Sequence, residues 1–422
     1  MKNAETRGQG SLLAFMLAVA CLFCFSEAGP SEAGEVFEDG LIYLADGTSI
    51  SREEFVARAK DFDYILIGET HDAPHHHLMQ ASLLEALAQS GRRPAVGFEM
   101  LYSRNQNLLE PFNRRQIKVD ELAGTSGWAQ SWTYPFEIYA PIFEVAERFD
   151  LPVHGLNISK ATLDLVRAKG FYETRNSLPG ERRPDLPEEV IWPRPEQIEH
   201  LNKTRENWAR RRAENKPREA AGPDQQQTSP PEKNEPDQGP LKPGDPRRFQ
   251  LIQSLWDTSM AESAVKIHRT TGRPVVIIAG SGHVEHGYGI AHRINTLTPG
   301  KKIMLVLPLA RPFEVDDEKL RASAEIFFAS RPGIFSLGLV FKAEAEQIIV
   351  DEIQDGSRAE KAGLRVGDRV VSLEDEDLKS PGDFHSAIAI ADLEDKRNDL
   401  PEKRPKALLI DRKGARQNLT LN

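Results

Sequence analysis

The stretch Tyr64-Ile65-Leu66-Ile67-Gly68-Glu69-Thr70-His71-Asp72 decides how the larger part of this chain is read. Four residues, apolar on both parities, run directly into a carboxylate and an imidazole. A short run with no polar face is a strand covered on both sides, as in a parallel sheet. The same character recurs at Pro94-Ala95-Val96-Gly97-Phe98, Leu151-Pro152-Val153-His154, Pro274-Val275-Val276-Ile277-Ile278 and Ile303 to Leu307. Helical stretches separate these runs: Leu78 to Gln89, Pro141 to Phe149, Ala161 to Lys169 and Leu251 to Arg269. The alternation predicts an α/β fold with an open, mainly parallel sheet and helices on both faces.

Three polar clusters directly follow predicted strands. They are Gly68-Glu69-Thr70-His71-Asp72 with His75-His76-His77, then Gly97-Phe98-Glu99-Met100, then Gly280-Ser281-Gly282-His283-Val284-Glu285-His286-Gly287. Asn157, beyond the Leu151 run, is a fourth candidate. Open parallel sheets bind ligands outside the carboxyl ends of their strands, where residues distant in sequence converge. Glu69, His71, Glu99 and His283 are therefore expected to share one cleft. Blander readings stand beside this one. The three consecutive histidines suit partly exposed positions in the first turn of a helix, with at most one facing the cleft. Glu99 could cap a helix or pair with Arg92 or Arg93, and Gly280, Gly282, Gly287 and Gly289 suit tight turns.

The chain has 422 residues, enough for two or three domains, and a net charge of −10 with a pI near 5.7. No basic cluster offsets that balance, which argues against nucleic acid as a partner. Lys2 and Arg7 precede an apolar stretch from Leu12 to Phe25, and Ser26 and Ala28 follow at signal-peptidase spacing. The expectation is an export signal over 1–28, cleaved after Ala28, and a mature protein in the periplasm or cell envelope. Ala18-Val19-Ala20-Cys21 approaches a lipid-anchor site, but with Ala18 in place of a larger aliphatic residue. Both cysteines, Cys21 and Cys24, lie in this segment, so the processed chain has no thiol. Its chemistry then rests on His, Asp, Glu, Tyr and backbone groups. From about Arg211 to Arg248 the chain is rich in Pro, Gln, Glu, Lys and Gly, including Gln225-Gln226-Gln227 and Pro230-Pro231. It reads as a disordered insertion within the α/β domain.

Near the C-terminus, Ser357 begins the run Ser357-Arg358-Ala359-Glu360-Lys361-Ala362-Gly363-Leu364-Arg365-Val366-Gly367-Asp368-Arg369-Val370. This resembles a PDZ domain, a small β-barrel-like α+β unit, and the resemblance covers 331–422. It implies capture of a C-terminal peptide as an added strand. Ser336 with Leu337, Gly338 and Leu339 would hold the peptide carboxylate, and the helix beginning Phe384-His385-Ser386-Ala387 would flank the groove.

Ile67-Gly68-Glu69-Thr70-His71, Gly97-Phe98-Glu99-Met100, Trp256-Asp257-Thr258-Ser259-Met260-Ala261 and Gly280-Ser281-Gly282-His283-Val284 together resemble the ChaN-like haem-binding uptake family. That family is grouped with the TIKI and TraB proteins and, more remotely, with erythromycin esterases. The similarity spans 38–310. It implies a haem-binding envelope protein in iron handling, and a homodimer holding haem between subunits. Without a thiolate, ferric iron takes a Tyr oxygen or a His nitrogen. The segment Trp128 to Tyr139 offers aromatic surface together with the phenols of Tyr134 and Tyr139, or else a core-packing lid. Haem-binding candidates are thus Glu69, His71, Glu99, Tyr134, Tyr139 and His283. Family members are often lipoproteins, and neither the long insertion nor the PDZ domain is part of the pattern.

A different class uses the same residues. Glu69, His71, Glu99 and His283 could hold zinc or manganese in a TIKI/TraB-type envelope hydrolase, the metal activating a water. His71 could instead act without metal as a general base positioned by Glu69, as the esterase relatives suggest. A scaffold that retains only peptide binding is the third class, and the intact Glu69, His71 and His283 count against it.

Overall fold

The computed structural model describes residues 40–180, 186–214, 245–330, 339–344, 347–353, 357–374, 376–378 and 404–421, with 384, 387, 388 and 391. The expected signal over 1–28, most of the insertion, and Leu337 and Gly338 of the expected carboxylate loop lie outside the described residues, as do Ser336, His385 and Ser386.

The apolar runs become the strands β3 (Tyr64–Glu69), β4 (Ala95–Tyr102), β5 (Val153–Asn157), β6 (Val275–Gly280) and β7 (Ile303–Leu309). A short hairpin, β1 (Ile42–Leu44) and β2 (Ser49–Ile50), precedes them, and β8 (Ile326–Ala329) follows. Their order across the sheet is β2-β1-β8-β7-β3-β6-β4-β5, parallel from β8 to β5, with β1 antiparallel to β8. The fold is thus α/β with a mostly parallel sheet. The chain first steps from β3 toward β5, then returns to insert β6 beside β3. That reversal opens a crevice at the carboxyl ends of β3, β6 and β4.

Both parities of each strand find a partner. On one face Ile65, Ile67, Val96, Phe98, Val276 and Ile278 pack under α1 (Arg52–Ala59), α2 (Pro74–Gln89), α3 (Gln106–Asn113), α4 (Val119–Thr125), α5 (Trp128–Ser131) and α6 (Phe136–Phe149). On the other, Tyr64, Leu66, Val275, Ile277 and Leu305 pack under α10 and α11. These helices, α10 (Pro246–Thr271) and α11 (Ile290–Leu297), follow α7 (Lys160–Lys169), α8 (Phe171–Ser177) and α9 (Pro195–Glu214). The helical flanks of the expected insertion are therefore ordered. Residues 211–214 finish α9, and 246–248 open α10 with Asp245 accepting from the Arg247 amide at the N-cap. At the sheet's outer side, Asn113 and Gln106 hydrogen-bond the free edge of β5. Asn113 takes the Val153 amide and donates to its carbonyl, and Gln106 takes the Gly155 amide.

The separate antiparallel sheet runs β14-β13-β11-β10-β9 with β12 on β11. Its strands are β9 (Leu339–Glu344), β10 (Gln347–Ile353), β11 (Arg369–Leu373), β12 (Glu376–Asp377), β13 (Lys406–Arg412) and β14 (Ala415–Leu421). Its core gathers Ile348, Val350, Leu364, Val370, Phe384, Leu408 and Ile410. Asp368, 1% exposed, holds the turn before β11 together. It takes the Arg365 amide at 2.8 Å and two hydrogen bonds from Arg412 at 2.7 Å each.

Phe98 is fully buried and stacks on Phe143, centroids 4.3 Å apart and planes 9° from parallel. Phe98→Ala removes that contact at the centre of the sheet and should cost about 3–5 kcal/mol, read as a lower urea midpoint. A shift below about 1 kcal/mol would show that the α2–α6 layer does not depend on it.

Candidate functional site

β3 ends at Glu69, and parity sends its side chain to the α6 face. Glu69 Oε1 lies 2.5 Å from His71 Nδ1. Tyr139 of α6 donates to the same carboxylate oxygen at 3.5 Å and to the His71 carbonyl at 3.4 Å, and accepts from the Trp132 indole at 3.3 Å. Glu69 Oε2 is buried without a hydrogen-bond partner among the described residues. From β4, Glu99 follows Phe98 and so turns to the opposite, α10 face. Its Oε2 takes the Gly280 amide at 2.7 Å, and its Oε1 lies 3.4 Å from His283 Nε2. His283 Nδ1 lies 2.6 Å from Asp257 Oδ1 of α10. Behind Asp257 stands Arg293 of α11, completely buried, 3.5 Å from Asp257 Oδ2 and bonded to Gln197 and the Tyr288 and Gly289 carbonyls.

The two halves meet at Gly280. A Cβ there would lie 2.8 Å from His71 Cε1 and 3.6 Å from Glu99 Oε2, so only glycine lets the imidazole approach. Gly289 has a similar role: a Cβ would fall 2.3 Å from the His283 carbonyl and 3.0 Å from Asp257 Oδ1. Turn geometry, expected for all four glycines of this stretch, is needed at Gly287, which has φ +66°. At Gly280 and Gly289 the constraint is space.

Glu69, His71, Glu99 and His283 thus stand at the ends of three neighbouring strands, with signs that alternate from Arg293 through Asp257, His283 and Glu99 to His71 and Glu69. Burial alone would discharge these groups, and their partners prevent it. For His71, burial lowers the pKa, but Glu69 and then Glu99 outweigh it and raise it above the ordinary value. For His283, burial is overcome by Glu99 and Asp257, which hold the ring well above the usual range. Burial pushes Glu99 up, yet His283 and His71 bring it down to about 2.

Several expectations are corrected. The histidine triplet is not partly exposed: α2 begins at Pro74, and His75, His76 and His77 are 6%, 6% and 0% exposed. His76 Nδ1 accepts the Thr70 amide, while His77 bonds Gln80 and the His71 carbonyl and packs at a 34° tilt on Tyr139, centroids 3.9 Å apart. They brace the loop that carries His71. Arg92 does not reach Glu99; it donates to the Ala59 and Phe62 carbonyls. Tyr139, expected as a phenol open to iron, is fully buried, with burial and Glu69 raising its pKa well above the ordinary value, and here it is a hydrogen-bonding brace. Asn157 caps its own turn by taking the Ile158 amide and stays outside the network. Among the described residues no group of three or more His, Cys, Asp and Glu side chains is placed to hold a metal ion. The zinc or manganese site expected from Glu69, His71, Glu99 and His283 is not the arrangement found, because each imidazole faces carboxylates that bind it and no common centre. Glu69, Glu99 and His283 are 2%, 6% and 9% exposed, whereas the His71 side chain is 33% exposed. Trp132 and Tyr134, both half-buried, flank it with ring centroids 4.7 and 5.7 Å away.

Asp257 and Arg293 had no assigned role in the sequence. Asp257 was visible within the Trp256–Ala261 motif; Arg293, in an ordinary amphipathic helix, carried no signal.

Residues 55–294 match the model of the family described as haem-binding uptake, Tiki superfamily, ChaN, and 349–397 match a PDZ domain. No curated protein matches. Among solved structures, one of ChaN of Campylobacter jejuni with cofacial haem is 19% identical, covers 69% of this chain and 96% of its own, and has a TM-score of 0.47. A mutant of the erythromycin esterase EreC in its open conformation is 9% identical, covering 63% and 76%, with a TM-score of 0.33. An HtrA-type protease, AlgW, with a decapeptide is 17% identical, covering 20% and 27%, with a TM-score of 0.17.

The network carries a pH signature. Glu99, depressed from 4.5 to about 2, contributes stability that is present above pH 4.5 and lost as pH falls toward 2. His283, raised from 6.5, contributes stability that is complete below 6.5 and lost as pH rises through its folded value. Urea midpoints should therefore fall between pH 4.5 and 2 in the wild-type chain, and fall less in Glu99→Gln. Parallel curves for the two proteins would show that Glu99 is not ionised against His283.

Proposed function

Since the chain belongs to the ChaN family of haem-binding uptake proteins in the Tiki superfamily, we propose that its α/β domain binds haem at the rim formed by His71, Trp132 and Tyr134. The observation that carries this reading is the carboxylate-backed imidazole of His71. A histidine that ligates a metal usually has its other ring nitrogen held by a carboxylate, which fixes the tautomer and raises basicity. Glu69 engages Nδ1 in this way, and Nε2 makes no hydrogen bond among the described residues. The missing Cβ of Gly280 leaves space along that edge of the ring. Trp132 and Tyr134 add aromatic surface for an apolar macrocycle. The donor set therefore fits haem: His71 would hold the iron, with Tyr134 as the neighbouring phenol. Bound haem would supply a ferric centre that takes nitrogen or oxygen donors. Glu69, Tyr139 and His77 orient the ring, and Glu99 with His283 sets the charge behind it. Export to the cell envelope, a role in iron handling, a homodimeric state and capture of peptide C-termini by the PDZ domain complete this reading.

Haemin titration of the purified chain should give a Soret band at near-stoichiometric uptake. His71→Ala should abolish the imidazole-ligated spectrum, and Glu69→Gln should weaken uptake by roughly 10–100-fold. Loss of the band in Tyr134→Phe but not in His71→Ala would transfer the iron to the phenol, and no uptake at all would end the haem reading.

A second reading is favoured by one further observation: two imidazoles, each with Nδ1 on a carboxylate at 2.5–2.6 Å, lie within the electrostatic reach of one carboxylate, Glu99. Imidazoles whose partners favour the protonated form can give a proton to a leaving group and recover it, in metal-free ester or amide hydrolysis, a contribution of typically 10²–10⁴-fold. Metal-stripped protein should then cleave p-nitrophenyl acetate above background, with the activity lost in both His71→Ala and His283→Ala. Turnover that survives both changes would sink it.

A further inference from the structure

A cleft of about 870 Å³ opens beside the edge strand β5 and shares no residue with the charged network. One wall is a single stripe of α10: Ser259, Glu262, Ser263, Lys266, Ile267 and Thr270 recur at spacings of three and four and lie on one helical face. The other walls include His154 and Gly155 of β5, Arg104, and the segment Leu186-Pro187-Glu188. Arg175 secures that segment by donating to the Leu186 carbonyl at 3.0 Å and the Pro187 carbonyl at 2.7 Å.

Two buried polar atoms of the lining, His154 Nε2 and Ser259 Oγ, have no hydrogen-bond partner among the described residues. An unmet buried polar atom costs about 1–3 kcal/mol, so such atoms usually answer to a ligand or to water. Burial brings His154 down to about 4, which leaves the ring neutral and suited to an amide. Charge along the cleft is divided. Glu188 and Glu262 lie together, and Glu262 is pushed up by burial and by the Glu188 charge, although it accepts from the Glu188 amide. Two adjacent carboxylates in a wall favour a cation between them. Lys266 follows Glu262 by one helical turn, about 6 Å along the axis, and no ion pair joins the two among the described residues. An extended dipeptide spans at most about 7 Å.

We infer that this cleft binds a short zwitterionic peptide of about two residues, with its ammonium between Glu188 and Glu262, its carboxylate at Lys266 and its amide against His154 and Ser259. A simple anion would meet Glu188 and Glu262, a simple cation would meet Lys266 and Arg175, and a neutral sugar would leave both charged ends unanswered.

Calorimetric titration of the full chain with Ala-Ala tests the inference. Ala-Ala should bind, while N-acetyl-Ala-Ala and Ala-Ala amide should each bind at least about tenfold more weakly, the loss of one charge-assisted hydrogen bond. Glu262→Gln should reduce Ala-Ala affinity by about the same factor without changing that of the N-acetyl form, and Lys266→Met should do so without changing that of the amide. Haemin uptake should be unaffected in both variants, which separates this cleft from the haem site. No binding of Ala-Ala, equal binding of the blocked peptides, or a preference for a neutral disaccharide such as trehalose would each overturn it.

Discussion

A guanidinium that has lost all contact with water, Arg293, must find its counter-charge inside the protein, and the rest of the site follows from how it does so. Isolated burial of an ion is prohibitive, and even a good pair only roughly offsets its own desolvation. Asp257 answers Arg293 and in turn takes His283, which takes Glu99, which takes the Gly280 amide. Each member is tolerable only because the next is present. The helices α10 and α11 and the strands β4 and β6 are consequently tied in one arrangement, and a strand end that could fray is fixed electrostatically.

The network reaches solvent at one main point. Its inner members are nearly inaccessible, while His71 presents part of its ring between Trp132 and Tyr134. Haem ligation at His71, as proposed, would use that one side chain and treat everything behind it as support. Hydrolysis would need both imidazoles as working groups. The same residues therefore serve either chemistry, and access more than composition separates them. This is also why a metal centre is a poor description: the carboxylates are already committed to the imidazoles.

Much of this was legible in the sequence. The apolar runs gave the parallel strands because a run buried on both faces has no alternative parity to confuse it. Placing Glu69, His71, Glu99 and His283 at strand ends was enough to predict that they meet. What the sequence did not disclose depended on tertiary packing. His75, His76 and His77 look like an exposed polar turn, yet Pro74 starts α2 early and turns them inward. Tyr139 looks like a free phenol until α6 lays it against Glu69. Arg293 sits in a helix whose periodicity suggests nothing unusual, and its burial makes sense only beside Asp257. The small strand β8 and the hairpin before β3 were missed because their pairing is with each other and with β7, an association local patterning does not report.

At its far border the sheet is finished in an economical way. The amides of Asn113 and Gln106 occupy the outward backbone groups of Val153 and Gly155 as a neighbouring chain would. A bare border of this kind is the usual template for fibrous self-association. With its valences filled by two side chains of the neighbouring helix α3, β5 has little left to recruit a stray segment, and the sheet stays finite.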